Sequence, residues 1–217
     1  MTLAPGYAFG EPAYNRRVAI DLPLRCRCGH VRGLASEVAP SAGFRFLCYC
    51  KDCQAFARFL VRPDMLDAAG GTDIFQMPAA HVKLTAGTDA VRCLSFSGKV
   101  LRWYADCCRA PIANTAAGAR FPVVALIHSF IDAETGGRSR DELLGPPLCR
   151  IYERSAAGPL PANAPAPASF RLFIRRASRI LGWWLRGLGR PNPFFDNQTN
   201  APLSVPRLLT PSGRDAL

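Results

Sequence analysis

The stretch CYCKDC occupies residues 48–53 and places three thiols within six residues. Zinc binds thiolates in a tetrahedron, and short spacings let one turn of the chain present several sulfurs to one ion. Cys48, Cys50 and Cys53 are too close together to span two ions, so we expect them to bind a single metal. Three protein ligands with an open fourth position are typical of catalytic zinc, whereas four closed ligands are typical of structural zinc.

Four more cysteines lie on either side of this stretch. Cys26 and Cys28 are followed by Gly29, which permits the tight backbone turn that a metal-binding knuckle needs. Cys107 and Cys108 come later in the chain as an adjacent pair. These four are predicted to form a second, closed site that ties the first strand to a later hairpin. Metal binding there would contribute directly to folding.

The two clusters together predict about two zinc ions per chain, although iron also suits thiolate ligands. Cys93 and Cys149 lie inside strand patterns and are interpreted as core cysteines.

The first residues lack the basic and apolar segments of a secretory signal, so we expect a cytoplasmic protein. In a reducing compartment, nine cysteines indicate metal or redox chemistry rather than a disulfide framework.

Composition and charge limit the class of protein and of partner. The 217 residues are 49% hydrophobic, as in a folded globular protein, and contain no apolar run long enough for a transmembrane helix. Lys and Arg number 27 against 16 acidic residues, giving a net charge of +11. A positive protein attracts anionic partners. We expect a small thiol or glutathione adduct, or peripheral contact with an anionic membrane, in preference to nucleic acid.

The chain divides into a cysteine-bearing body and a tail without cysteine. We place the body at residues 15–155. Residues 156–168 are rich in Pro and Ala and predict an extended, semi-rigid linker. A basic amphipathic helix is predicted at 169–190. An extended tail at 191–217 is expected to pack on the body, with Phe194 and Phe195 as its anchors.

The body is predicted to be mainly β, built from short antiparallel strands. Gly98 lies between two alternating segments and predicts a β-hairpin turn. Short strands with Gly and Pro between them favour a small all-β domain. Helices are expected only at 52–60 and 63–68. The predicted strands cover residues 17–22, 44–49, 91–96, 100–104, 121–130 and 148–153.

Three segments carry a family resemblance: CRCGHVRG (26–33), CYCKDCQAFAR (48–58) and GKVLRWYADCCRAPIANT (98–115). Over about residues 20–155 the chain resembles the family of the glutathione-dependent formaldehyde-activating enzyme and centromere protein V, called GFA-like below. The resemblance implies a mainly β "tent" fold with one structural zinc. It also implies a second zinc on Cys48, Cys50 and Cys53, where the thiol of glutathione engages. The reaction implied is carbon–sulfur chemistry on the formaldehyde–glutathione adduct.

The third segment differs from the family pattern, which is an aromatic residue followed by Cys-x-x-Cys-Gly. Ala105 stands at the first cysteine of that pattern and Arg109 at the glycine. Cys108 matches the second cysteine. Adjacent residues of an extended chain point apart, so Cys107 can join Cys108 on one ion only if the backbone turns sharply. Asp106 and water are alternative fourth ligands, and the resemblance is therefore to a divergent branch of the GFA-like family.

Two functions follow as hypotheses. The first is a zinc-dependent enzyme that acts on a thiol adduct such as a glutathione conjugate, in a carbon–sulfur lyase type of step. Lys51, Arg58 and Arg62 surround the thiols and would bind the carboxylates of the substrate. No catalytic acid or base is assigned. The second is a non-catalytic, zinc-stabilised binding module whose basic surface contacts membrane or nucleic acid.

The predicted helix at 169–190 begins after Ser169, a plausible N-cap. Its basic residues fall within about 140° of a helical wheel and its apolar residues lie opposite. The helix could dock on the body through the apolar face with the arginines in water, or lie on anionic lipid. The arginines are Arg171, Arg175, Arg176, Arg179, Arg186 and Arg190. The apolar residues are Phe173, Ala177, Ile180, Leu181, Trp184 and Leu188.

Overall fold

The computed structural model describes residues 19–132 and 137–217, so residues 15–18 of the predicted body and 17–18 of its first strand lie outside the described residues. The described part of the chain contains eleven strands and four α-helices. The strands are β1 (Ile20–Arg25), β2 (Arg32–Val38), β3 (Phe44–Cys48), β4 (Thr72–Pro78), β5 (Val82–Ala86), β6 (Val91–Ser95), β7 (Val100–Ala105), β8 (Ala110–Ala116), β9 (Val123–Ile127), β10 (Arg150–Ile151) and β11 (Arg207–Leu208). The helices are α1 (Lys51–Leu60), α2 (Arg140–Leu144), α3 (Phe170–Leu185) and α4 (Pro211–Asp215).

The strands form two sheets, which confirms the prediction of a mainly β protein. One sheet has three strands in the order β1-β2-β5, and the other has eight in the order β10-β3-β4-β9-β8-β7-β6-β11. Most neighbours are antiparallel, as expected. The two edge pairings of the larger sheet, β10 with β3 and β11 with β6, are parallel and only two residues long. These edges are supplied by segments that lie late in the chain, after the strands with which they pair.

The predicted hairpin is present. β6 and β7 pair antiparallel, with Val91 opposite Ala105 and Leu94 opposite Arg102. Gly98 in the connecting turn has φ = +70°, a left-handed conformation that glycine adopts without strain. Successive side chains of a strand point to opposite faces of the sheet, so the side chains of β7 alternate between two environments. Trp103 and its i±2 neighbours face one core, while Arg102 and Tyr104 face α1.

Several predicted elements are shorter than expected. The strand predicted at 121–130 ends at Ile127, and His128–Phe130 forms a 3-10 turn. The strand predicted at 148–153 is reduced to β10. The helix predicted at 63–68 is a 3-10 turn at Pro63–Met65, where the proline supplies the fixed φ of the first turn but the chain becomes extended at Leu66.

The main core is shared by the two sheets. Leu22 and Leu24 of β1 pack in the same buried cluster as Phe75 of β4 and Trp103 of β7. Trp103 is fully buried, and its indole N–H donates to Thr115 Oγ1 at 2.9 Å, so its polar atom is satisfied inside the core. Cys93 is buried in this core and Cys149 in another cluster, which confirms their interpretation as core cysteines.

The C-terminal segments pack against the body. The linker runs alongside β10, where Arg150 N–H donates to Ala166 O and Ala168 N–H donates to Arg150 O, both at 3.0 Å. Further along, the ring of Phe194 stacks on Trp103 at a centroid distance of 5.0 Å, and Phe195 meets the same indole edge-on at 5.9 Å. The tail therefore completes the main core.

Helix α3 forms within the predicted range, and the Ser169 side chain accepts a hydrogen bond from Leu172 N–H as its N-cap. The helix has no acidic residue to complement its charge. Within residues 19–132 and 137–217, no helix has the length and apolar character needed to cross a bilayer.

The expectation that α3 docks through its apolar face is wrong. Phe173, Leu181 and Trp184 are 58%, 53% and 60% exposed. The helix instead turns part of its arginine face toward the body, because polar acceptors are available there. Arg176 Nε donates to Gln76 Oε1 at 2.7 Å, and Arg179 donates to the carbonyl of Gly43. The least exposed residues of the helix are Leu172, Arg176, Arg179, Ile180, Gly182 and Trp183.

Candidate metal centres

The first candidate centre contains four sulfurs. Cys26 and Cys28 follow β1, and Cys107 and Cys108 lie in the turn between β7 and β8. The four Sγ atoms all lie within 4.8 Å of one another. The closest pairs are Cys28 to Cys107 at 3.4 Å, Cys26 to Cys28 at 3.5 Å and Cys26 to Cys107 at 3.9 Å. Two chain segments about 80 residues apart are thus brought to one point.

These distances match a tetrahedral thiolate site. A Zn–S bond of about 2.3 Å in a tetrahedron places neighbouring sulfurs about 3.8 Å apart. Four of the six separations, from 3.4 to 4.0 Å, lie on either side of that value, and all six stay within 4.8 Å. The donor set and its spacing therefore fit one zinc-sized ion.

Backbone geometry explains how each pair converges. Gly29 has φ = +76° and its N–H donates to Cys26 O at 2.9 Å, which closes the knuckle after the first pair. On the other side, Arg109 has φ = +58°, a left-handed conformation uncommon for a residue with a side chain. Because residues 106–109 form a turn rather than an extended strand, Cys107 and Cys108 both reach the cluster. Asp106 instead accepts a hydrogen bond from Arg109 at 3.2 Å.

Cys26, Cys28 and Cys107 differ in acidity. The pKa of Cys28 is lowered to about 6, chiefly because the backbone N–H of His30 donates to its sulfur, with Cys107 and Cys26 contributing. Burial raises the pKa of Cys26 and of Cys107 above the ordinary thiol value. Cys28 is exposed at the rim, so the cluster has one thiol that ionises readily at neutral pH.

The second candidate centre contains three sulfurs. Cys48 is the last residue of β3, Cys50 is the N-cap of α1, and Cys53 lies in the first turn of that helix. Cys53 Sγ lies 3.8 Å from Cys48 Sγ, and Cys53 N–H donates to Cys50 Sγ at 3.4 Å. A helix N-terminus stabilises nearby negative charge, which favours thiolate at this position.

A buried arginine lies beside these three sulfurs. Arg102 of β7 is 5% exposed, and its NH1 lies 3.5 Å from Cys53 Sγ and 3.4 Å from Asn114 Oδ1. Its guanidinium also approaches the rings of Phe56 and Phe96, at 6.0 and 5.6 Å. A buried cation needs a negative partner, and Arg102 has the carboxylate of Asp52 at 3.4 Å as well as the nearby sulfurs, so its position favours thiolate charge on the cluster.

The pKa shifts of the cysteines and of Arg102 agree with negative charge on the sulfurs. Hydrogen bonds from Cys48 and Cys50 lower the pKa of Cys53, and Arg102 lowers it further. The pKa of Cys48 is raised, mainly by its hydrogen bond with Cys50. Burial acts to lower the pKa of Arg102, but the charges of Cys53, Cys50 and Asp52 together with the hydrogen bond to Cys53 outweigh it, and the pKa is raised. The cluster and the guanidinium thus stabilise each other's charge.

The three sulfurs line a cavity of about 480 Å³. Arg214 of α4 closes one side, and its NH1 donates to Asp52 Oδ1 at 3.1 Å. Asp52 also accepts from Arg102 NH2 at 3.4 Å, so one carboxylate joins both arginines. A second cavity of about 250 Å³ adjoins the first beneath α3. The residues lining both are Phe46, Gln76, Ile151 and Tyr152.

The predicted substrate-binding cations are not all brought to this cavity. Lys51 lines it. Arg58 lies two turns further along α1, exposed and close enough to Asp215 to lower the pKa of that carboxyl. Arg62 follows the end of α1 and pairs with Asp64, its Nε donating at 2.7 Å. The cations that sequence reasoning missed are Arg102 and Arg214. Arg102 could have been noticed because it is a charged residue inside a predicted strand. No feature of the sequence around Arg214 indicated that it would line the cavity.

The fold and its centres define a mainly β protein with two cysteine clusters, each of which could hold a metal ion. Residues 18–203 match DUF6151, a family of unknown function, and the chain belongs to that family. No curated protein matches the sequence.

Proposed function

We propose that the chain is a zinc-dependent enzyme that acts on a thiol adduct such as a glutathione conjugate. The observation that carries the proposal is the contrast between the two clusters. Four sulfurs converge at Cys26, Cys28, Cys107 and Cys108, which is enough to fill the four positions of a tetrahedral site. Three sulfurs leave a position at the other cluster, and that cluster lines a cavity. An incomplete ligand set beside a cavity is the arrangement of a catalytic metal.

The two ions would have different roles. The four-sulfur site would be structural, because it joins the end of β1 to the β7–β8 turn and has no free position. The three-sulfur site would bind the sulfur of the substrate. Zinc is the expected metal at both, and iron is the alternative for thiolate ligands. These assignments follow the GFA-like resemblance, which also implies the zinc-bound β-tent arrangement.

The cavity is suited to an anionic thiol. Lys51 and Arg214 line it. Lys51 could pair with a carboxylate of a peptide-like thiol, and Arg214 could do so in exchange for its ion pairs with Asp52 and Asp215. Arg102 lies deeper, against Cys53, and would neutralise the charge that three thiolates and a fourth sulfur accumulate. The protein groups thus separate into two that orient the substrate and one that stabilises charge at the reacting sulfur.

The reaction proposed is cleavage or formation of a carbon–sulfur bond. For a hydroxymethyl thioether, the carbon–sulfur bond breaks and its electron pair remains on sulfur. The hydroxyl proton is lost to solvent as the carbonyl forms, so the products are a thiolate and an aldehyde. A bound zinc would supply Lewis-acid stabilisation of the sulfur. The residues of this chain hold the substrate and balance its charge.

Cobalt substitution tests the proposal directly. Cobalt(II) in thiolate sites is coloured, so glutathione entering the open position should change the visible spectrum of the three-sulfur site. Cys50→Ser should abolish this change, whereas Cys149→Ser, which alters a buried cysteine outside both clusters, should preserve it. Release of formaldehyde from S-hydroxymethylglutathione would then be measured with the zinc protein.

The alternative function is a zinc-stabilised binding module without catalysis. An unchanged cobalt spectrum at millimolar glutathione would overturn the catalytic proposal and favour this module. A changed spectrum without aldehyde release would retain thiol binding and reject the lyase reaction.

A further inference from the structure

Helix α3 presents its apolar face to solvent. The residues that pack on the body are centred on Trp183, which is 4% exposed. On a wheel of 100° per residue, the centre of the opposite side is occupied by Ile174, Leu181 and Leu185. This apolar face extends along all four turns of the helix. Its large members are Phe170, Phe173, Ile174, Leu181, Trp184 and Leu185, all of them exposed.

Such a face is unusual for an amphipathic helix on a globular domain. Helices normally bury their apolar side and expose the polar one. Here the buried Trp183 and the hydrogen bonds of Arg176 with Gln76 and of Arg179 with Gly43 lie toward the body, which leaves the apolar side outward. A contiguous exposed apolar patch marks an interaction surface.

Positive charge borders this face on one side. Arg171, Arg175 and Arg186 are exposed and lie next to the apolar residues on the wheel. The sequence contains no Asp or Glu between Glu153 and Asp196, so no acidic side chain within this segment offsets them. The surface thus combines apolar side chains that need a non-aqueous environment with cations that need anions.

We propose that α3 docks the protein on an anionic lipid surface, lying in the plane of the headgroups. A membrane interface supplies both requirements at once, because apolar residues enter the acyl boundary while arginines meet lipid phosphates and carboxylates. Trp184 suits this depth, since its ring is apolar and its N–H is polar. A second copy of the chain is a less suitable partner for the apolar face, because the arginines that border the two identical faces would repel each other.

Co-sedimentation with vesicles tests the proposal on the full chain. Phosphatidylcholine vesicles containing about 30% phosphatidylserine should bind the protein at moderate salt, and pure phosphatidylcholine vesicles should bind it much less. Leu181→Gln with Leu185→Gln should weaken binding by at least roughly tenfold, because the buried apolar area is lost. The matched control is Val205→Gln, which alters an exposed apolar residue outside the helix.

A second pair of variants tests how much the arginines contribute to vesicle binding. Arg171→Gln with Arg175→Gln should weaken binding by roughly twenty-five-fold, taking about fivefold for each arginine near an anionic surface. Lys83→Gln with Lys99→Gln removes the same charge from exposed positions on β5 and the hairpin turn, and should have a much smaller effect. Circular dichroism of every variant checks that the fold is retained.

Three results would overturn the proposal. The first is failure of the full chain to sediment with the anionic vesicles. The second is equal sedimentation of the Leu181→Gln, Leu185→Gln variant and the Val205→Gln control. The third is a dimer, detected by light scattering without lipid, that the leucine variant dissociates while vesicle binding is absent.

Discussion

Arg102 NH1 lies 3.5 Å from Cys53 Sγ, although the two residues are 49 positions apart in the sequence. β7 supplies the guanidinium and the first turn of α1 supplies the sulfur. The contact is buried, so the interaction between cation and thiolate is screened by water much less than at the surface. This relationship connects the eight-stranded sheet to the chemistry of the three-sulfur centre.

Replacing Arg102 should weaken metal binding at the three-sulfur centre selectively. Three thiolates around a divalent ion carry a net negative charge, and Arg102→Met would leave that charge without its buried partner. We expect metal affinity at this centre to fall by about tenfold, as is typical when a group supporting metal ligands is removed. Competition with a chelating dye measures the affinity of each centre.

Arg102→Lys keeps the charge and should retain much of the affinity. Arg92→Met is the surface control, because Arg92 is exposed on the neighbouring strand β6. Equal affinities for the Arg102→Met protein and the wild type would show that the guanidinium has no part in the centre.

Metal content should be about two ions per chain, one for each cluster. Cys50→Ala should reduce the content to about one ion and leave the fold largely intact, because all three sulfurs of that cluster lie within one short segment. Cys26→Ala should also reduce folding yield, since its cluster joins segments from distant parts of the chain. Elemental analysis of protein purified without chelator measures the content. Protein that is folded and free of metal would contradict this prediction.

Alkylation should distinguish the two exposed thiols of the four-sulfur centre. In protein stripped of metal, Cys28 should react with iodoacetamide at a rate that rises to half its maximum near pH 6, where its pKa lies. Cys107 is also exposed but its pKa is raised, so it should react slowly until the pH is well above neutral. Mass spectrometry of peptides gives both rates from one sample, after circular dichroism has verified the fold. Equal rates at pH 7 would contradict the assignment.

The three-sulfur centre could be anticipated because it is local. Cys48, Cys50 and Cys53 fall where a strand ends and a helix begins, so their spacing alone brings them together. Arg102 could not be anticipated in the same way. The alternation of β7 predicts that Arg102 and Trp103 face opposite sides, but it does not predict that α1 covers the side of Arg102. That arrangement depends on packing between distant segments.

Other features were not predicted either: β2, β4, β5 and β8 lie outside the predicted strands, and the docking side of α3 differs from the expected one. β4 was missed because Asp73 and Gln76 interrupt its apolar pattern, yet Asp73 is buried in a salt bridge with Arg45 at 2.7 Å.

The position of α3 on the chain was predictable from its periodicity. Its docking side was not, because the acceptors for Arg176 and Arg179 lie about 100 residues or more away.

Phe194 should be among the most important residues for stability, despite its position in the tail. Its ring is fully buried and stacks on Trp103 at 5.0 Å. Phe194→Ala would leave a cavity against the indole and should lower the free energy of unfolding by about 3–5 kcal/mol. The matched control is Phe121→Ala, because Phe121 is 43% exposed and its loss should cost less than about 1 kcal/mol. Urea unfolding measures both, and a Phe194→Ala protein as stable as the control would mean that the tail is not part of the cooperative core.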